Sequence, residues 1–115
     1  MNIFMSIIES GVIDSVIFSE NYEDIILLIT DHLDWSSTQD HLLLLQEKLN
    51  TYIKFFESGQ LEEDFPDSKY KAIKIMVVGK YELNEKATAF FNSACEFLSN
   101  KVNIELLFSL DENSV

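Results

Sequence analysis

Arginine is absent from this chain, and no lysine occurs before position 48. Eight lysines stand against twenty carboxylates, for a formal charge of −12 at pH 7. Without arginine there is no planar fork to grip a phosphate at two points. A surface of that sign repels nucleic-acid phosphates and anionic lipid, so binding to either is not expected. Cysteine is limited to Cys95, which excludes an intramolecular disulfide and any zinc site built on cysteines. Three glycines and one proline are too few for a disordered or low-complexity chain. Gly11, Gly59 and Gly79 are too scattered to cradle a phosphate, and neither nucleotide-binding glycine motif occurs. The serine nucleophile elbow is missing as well. The opening segment, MNIFMSIIES, has no basic residue ahead of its apolar stretch and no small-residue cleavage pattern, so it does not read as a secretory signal. No apolar run approaches the roughly 20 residues that span a bilayer. Together these absences point to a cytoplasmic protein without cofactor. Met5 offers an alternative start, with residues 1–4 as an extension.

What is present suits one domain, residues 1–115. Nearly half the residues are apolar (47%) and nine are phenylalanine, enough for a core that needs neither disulfide nor metal. Residues 1–10 are left as a flexible segment or extension, and 111–115 as a frayed tail.

Val12 to Phe18 is rich in β-branched residues and Asp24 to Thr30 is apolar on both faces; about five polar residues separate them, which reads as a β-hairpin. Its second strand is central, since a strand buried on both sides reads as a continuous apolar run. Ser36 with Gln39, or Ser37 with Asp40, offers a capping pair for a helix that runs to about Ser58, with Gly59 at its C-terminal stop. Leu42, Leu45, Leu49, Tyr52, Ile53 and Phe56 form its apolar stripe. Gln60 to Tyr70 is expected to be a loop. Lys71 to Val78 reads as a third strand, with Gly79 as a bulge or strand end. Asn84 caps a second helix, Glu85 to about Ser99. Val102 to Leu110 alternates as a last strand. The fold class is therefore α+β: order β-β-α-β-α-β, a four-stranded mixed sheet with two helices packed on one face. The opposite face has no helix to cover it and cannot be purely polar, which makes it a contact surface for a partner or for a homodimer.

Nothing in the sequence forms a recognised catalytic constellation. The densest chemistry is Asp31-His32-Leu33-Asp34-Trp35, with His41 further on and Asp14 brought alongside by the hairpin. Asp14, Asp31, Asp34, His32 and His41 carry the oxygen and nitrogen ligand types that divalent metals accept, but their spacing matches no ligand pattern. Asp34 serves equally well at a helix start, where the dipole favours a carboxylate. Cys95 falls on the apolar side of the second helix with no histidine near it in sequence, the setting of a small buried hydrophobe. From Met1 to Glu47 there are nine carboxylates and no lysine. Glu57, Glu62, Glu63, Asp64 and Asp67, with Phe65 and Tyr70 among them, make an acidic-aromatic loop. Asp31, Asp34, Trp35, Glu62, Glu63, Asp64, Phe65 and Asp67 are thus the residues expected to meet a partner, and the field they create suits a basic protein. The plainer reading of the same residues is a solvated surface.

The segment Leu43 to Gln60, preceded by Ile13-Asp14 and by Asp31-His32-Leu33-Asp34-Trp35, resembles a family of small bacterial proteins of unknown function, over most of the chain. That resemblance implies no activity, cofactor or catalytic residue. In type, though not in motif, the chain is similar to bacterial immunity proteins: small, acidic and built to occlude a basic toxin. Three functions follow as expectations: a non-enzymatic binder of a basic protein such as a toxin, a homodimeric structural or ligand-binding module, or a metal-dependent enzyme.

Overall fold

A computed structural model of the chain describes residues 6–19, 21, 23–69 and 71–111. Strands β1 (Ser15–Phe18), β2 (Asp24–Asp31), β3 (Ala72–Gly79) and β4 (Ile104–Leu110) form one sheet in the order β1-β2-β3-β4. β1 pairs antiparallel with β2, and β2–β3 and β3–β4 are parallel. Helix α1 (Thr38–Glu57) joins β2 towards β3, and α3 (Glu85–Lys101) joins β3 to β4. Both crossovers step the same way across the sheet, so crossovers of one hand place both helices on one face. The α+β order expected from the sequence is the order observed.

Alternation along the strands sorts the side chains. Ile25, Leu27 and Ile29 of β2, Ile73, Ile75 and Val77 of β3, and Ile104 and Leu106 of β4 are buried beneath the helices. They meet Leu45, Leu49 and Tyr52 of α1 and Phe91 and Leu98 of α3 in one core. The opposite parity is only half-buried: Ile26 and Leu28, Met76 and Val78, and Leu107. With Ile17, 42% exposed, they make the uncovered sheet face apolar at its centre. At one end of it Lys74 lies between Asp24 (3.3 Å) and Glu105 (3.6 Å), a row in which one ammonium offsets one of two carboxylates.

Several local expectations change. The segment after Gly59 is not a loop: α2 (Gln60–Asp64) and a 3-10 turn at Pro66–Ser68 occupy it, held down by buried Leu61. Gly59 at φ 86° ends α1 and starts α2 at once, a left-handed conformation that glycine adopts without Cβ strain. The capping pairs at Ser36 and Ser37 do not form, because Ser36 bonds to Asp34 instead and Ser37 makes no side-chain cap. Asn84 does cap α3, its Oδ1 accepting the Ala87 N–H at 2.8 Å. Gly79 is a buried strand end rather than a bulge: a Cβ there would sit 2.7 Å from the Phe108 ring. The first strand is shorter than expected, since Val12 lies in a turn closed by its N–H on the Glu9 carbonyl. Residues 6–10 are no loose extension. Ile7 is fully buried, and its N–H donates to Thr30 O at 2.9 Å. Asp111 is tied by its N–H to Gly79 O; residues 1–5 and 112–115, and Tyr70, lie outside the described residues.

Candidate functional site

The C-terminal end of β2 collects the polar groups that the sequence singles out. Asp31 shares its parity with Ile25, Leu27 and Ile29, so its carboxylate points under the helices and is 4% exposed. His41, on the inner face of the first turns of α1, meets it there: Nε2 lies 2.6 Å from Asp31 Oδ2, and Nδ1 donates to the Asp34 carbonyl at 2.8 Å. Trp35 stacks on the imidazole with centroids 3.6 Å apart and planes at 15°. A carbonyl can only accept, so Nδ1 carries a proton, and the short contact at Nε2 is closed by a second one shared with the carboxyl. Burial raises the Asp31 pKa; His41, first by its charge and then by its hydrogen bond, acts in the opposite direction. Both ring nitrogens are thus engaged and His41 is 3% exposed, so neither is presented to a substrate as a base.

One strand across lies a second buried cluster. Lys48, with no solvent exposure, donates its three ammonium protons to Asp14 Oδ1 (2.7 Å), Glu9 O (2.6 Å) and Val12 O (2.6 Å). Asp14 Oδ2 accepts the Thr30 N–H at 3.0 Å. Tyr52 accepts the Asp14 N–H at 2.8 Å and donates to Leu28 O; burial pushes its phenol pKa well above the ordinary value. Lys48 thereby fastens the segment before β1 to α1. Among the described residues no buried side-chain nitrogen or oxygen lacks a partner. The sequence reading missed Lys48 and Tyr52 as a polar pair. The signal was there: Lys48 falls on the stripe between Leu45 and Leu49, one turn from Tyr52.

The candidate metal ligands therefore go to different partners. Asp14 goes to Lys48, Asp31 to His41, and Asp34 to Ser36, whose Oγ (2.6 Å) and N–H (3.1 Å) bind its Oδ1 and hold its pKa below the usual range. His32 is exposed. Among the described residues no group of three or more His, Cys, Asp or Glu side chains converges where a metal could sit. Cys95 is half-buried, its thiol donates to Leu106 O at 3.4 Å, and burial raises its pKa.

The residues expected to meet a partner are also divided. Asp31 is buried with His41 and so forms no part of the accessible acidic surface. Asp34 is exposed at the start of α1, beside half-buried Trp35. Glu62, Glu63, Asp64 and Asp67 are exposed, Glu62 lies 3.8 Å from Lys69, and the Phe65 ring tilts against Phe18. They lie at the far end of α1, whose 20 residues put about 30 Å between the two groups. A parallel crossover must carry the chain from one end of the sheet to the other, so the two acidic groups belong to opposite ends of the molecule.

More of the surface is acidic than these residues alone. Lys48 is the only lysine before Lys54, and it is buried. Described carboxylates Glu23, Asp34, Asp40 and Glu47 are exposed in the same stretch. Among the described residues no helix is long and apolar enough to cross a membrane. Compared with known proteins, residues 5–112 match the model of a "Family of unknown function (DUF6572)". No curated protein and no solved structure matches the chain.

Proposed function

The chain belongs to this family of unknown function, and we propose that it serves as a non-enzymatic protein-binding domain that receives a basic partner on its acidic surface. In its sharpest form the reading is an immunity or inhibitor protein that neutralises a basic toxin. One observation carries it: the only lysine of the first 53 residues is withdrawn into the interior, so among the described residues no lysine offsets the exposed carboxylates of that stretch. Such a field accelerates the approach of a cationic protein and disfavours anionic ones. The test is affinity capture of the tagged protein from its native lysate at low and moderate salt, beside a variant carrying Asp34→Asn, Asp40→Asn and Glu47→Gln. A single basic protein recovered near one-to-one, weakened by salt and by the neutralised variant, supports the role. Recovery that ignores both salt and the variant refutes it.

A second reading is a homodimeric module joined through the open sheet face. It is favoured by the apolar centre formed by Ile17, Ile26, Leu28, Met76 and Leu107 and by Lys74, which offsets one of the two carboxylates beside it and lowers the repulsion between two acidic chains there. Light scattering across a concentration series tests it. Monomer at every concentration removes this reading, and a dimer dispersed by Leu107→Lys supports it.

A further inference from the structure

The buried Asp31–His41 pair closes the turn between β2 and α1, and its geometry is favourable only while it holds a proton. His41 Nδ1 donates to the Asp34 carbonyl at 2.8 Å, so the proton that can come and go is the one at Nε2. Nε2 lies 2.8 and 2.6 Å from the two carboxyl oxygens of Asp31. With a proton between them this is a strong, charge-assisted contact. Without it a ring lone pair and a carboxylate face each other at that distance, both out of water. The Leu33 N–H on Oδ1, at 3.1 Å, is then the carboxylate's one donor among the described residues.

The same pair anchors a helix start that lacks a side-chain cap. Ser37, at the N-cap of α1, makes none, and Ser36 is turned to Asp34. His41 takes over part of that work by tying α1 to the Asp34 carbonyl, and the Thr38 hydroxyl adds one bond to the Trp35 carbonyl at 2.9 Å. Trp35 rests on the imidazole itself, with ring centroids 3.6 Å apart. His32, Asp34, Ser36 and Ser37 are exposed, so water reaches the pair once the turn shifts.

The charges around the pair come from every element that meets it. On β2 a charge on exposed His32 favours the ionised form of Asp31. Exposed Asp34 in the turn and Asp40 on α1 favour keeping the proton. β3 sets Gly79 opposite Asp31; Lys80 follows, its N–H on the Asp31 carbonyl and its ammonium 5.7 Å from the centre of the Tyr81 ring. The start of α3 brings neutral Asn84 onto the Thr38 hydroxyl at 2.8 Å, with exposed Glu82 and Glu85 on either side in sequence. Asp14, in the segment before β1, is already held by Lys48 and the Thr30 N–H.

We propose that this pair is a proton-dependent latch: while Asp31 and His41 share a proton the β2–α1 turn is closed with Trp35 on the ring, and on loss of that proton to solvent the turn opens and exposes Trp35. The latch is closed on the acid side and opens as pH rises through the titration of the pair, a midpoint that belongs to both residues together. The opening is local, because the core beneath α1 is held by Leu45, Leu49 and Tyr52 further along the helix.

Trp35 is the only tryptophan, so its fluorescence reports on this turn alone. The rate constant for its quenching by acrylamide, taken from lifetimes, is followed on the full chain from about pH 5 to about pH 10. The proton on His41 Nε2 is read in parallel by long-range proton–nitrogen NMR. The quenching constant is expected to rise at least about twofold as Nε2 loses its proton, with one midpoint for both signals and a level far-UV circular dichroism. Asp31→Asn removes the titrating carboxyl but keeps a side chain that can bond Nε2 in either state, its amide nitrogen donating or its oxygen accepting. Its quenching constant is expected to stay low throughout. A level quenching constant in the parent overturns the proposal, as does a rise whose midpoint differs from that of His41. A rise that comes with loss of the helix signal, or one of equal size in Asp31→Asn, overturns it too. Should the variant fail to fold, the two midpoints in the parent decide alone.

Discussion

A lysine with no access to water is held only because its charge is matched, and Lys48 meets that condition with one carboxylate and two carbonyls. Removing one member of a buried ion pair leaves the other uncompensated, so Lys48→Met should cost about 3–5 kcal/mol in urea unfolding. Adding Asp14→Asn should recover much of that loss, and a strictly additive double variant would show that the pair is not coupled. The burial of Asp31 predicts a pH dependence. The Asp31 pKa is raised on folding, so the folded state binds this proton more tightly than the unfolded chain. Its contribution is therefore fully present below the unfolded value of 3.8 and is lost as pH rises through the folded pKa. Asp34, with its pKa lowered, contributes above 3.8 and loses that contribution as pH falls through its folded pKa. Unfolding of Asp31→Asn and Asp34→Asn, each against the parent from pH 3 to 7, should show differences of opposite slope. Equal slopes would contradict the assignment. The sequence allowed Asp31 to be placed inside, since it continues the alternation of Ile25, Leu27 and Ile29. Its neighbours His32 and Asp34 are exposed, so adjacency in sequence points to the surface where parity points inward.

Elements were legible where one period dominates. The strand alternation at Ile73–Val77 and Ile104–Phe108, the α1 stripe and the Asn84 cap all appear where the residues place them. Boundaries were lost where a side chain from elsewhere claimed the backbone: the Val12 carbonyl goes to Lys48, so β1 starts only at Ser15, and Asp34 takes Ser36 from its capping role. The short helix after Gly59 was hidden by its charge, since Glu62-Glu63-Asp64 reads as loop unless Leu61 is recognised as its anchor. Gly79 fixes the closing of β3 on β4. Its hydrogen leaves room for the Phe108 ring, itself packed edge-on against Phe91 with centroids 5.6 Å apart. Gly79→Ala should therefore cost about 1–3 kcal/mol, the usual range for overpacking. Phe108→Leu in the same chain should relieve part of that cost, and thermal melts of the three variants decide it. An alanine variant as stable as the parent would mean that the ring moves aside freely.

At the scale of the whole molecule the charge was legible and its distribution was not. Composition gives −12, but only the fold shows that Lys48, Asp14, Asp31 and His41 are internal and that α1 separates Asp34 from Glu62–Asp67. The exposed carboxylates among the residues expected to meet a partner fall into two groups, at opposite ends of α1. A molecule so arranged should be reached by its partner faster than undirected docking allows, because its field acts before contact. The most direct measurement is the association rate of the captured partner by stopped flow across ionic strength. The account predicts a rate that falls by at least about tenfold between roughly 0.03 and 0.3 M salt, as the screening length shortens, with dissociation changing much less. An association rate indifferent to salt would mean that the acidic surface only keeps the protein in solution, and the proposed role would fall with it.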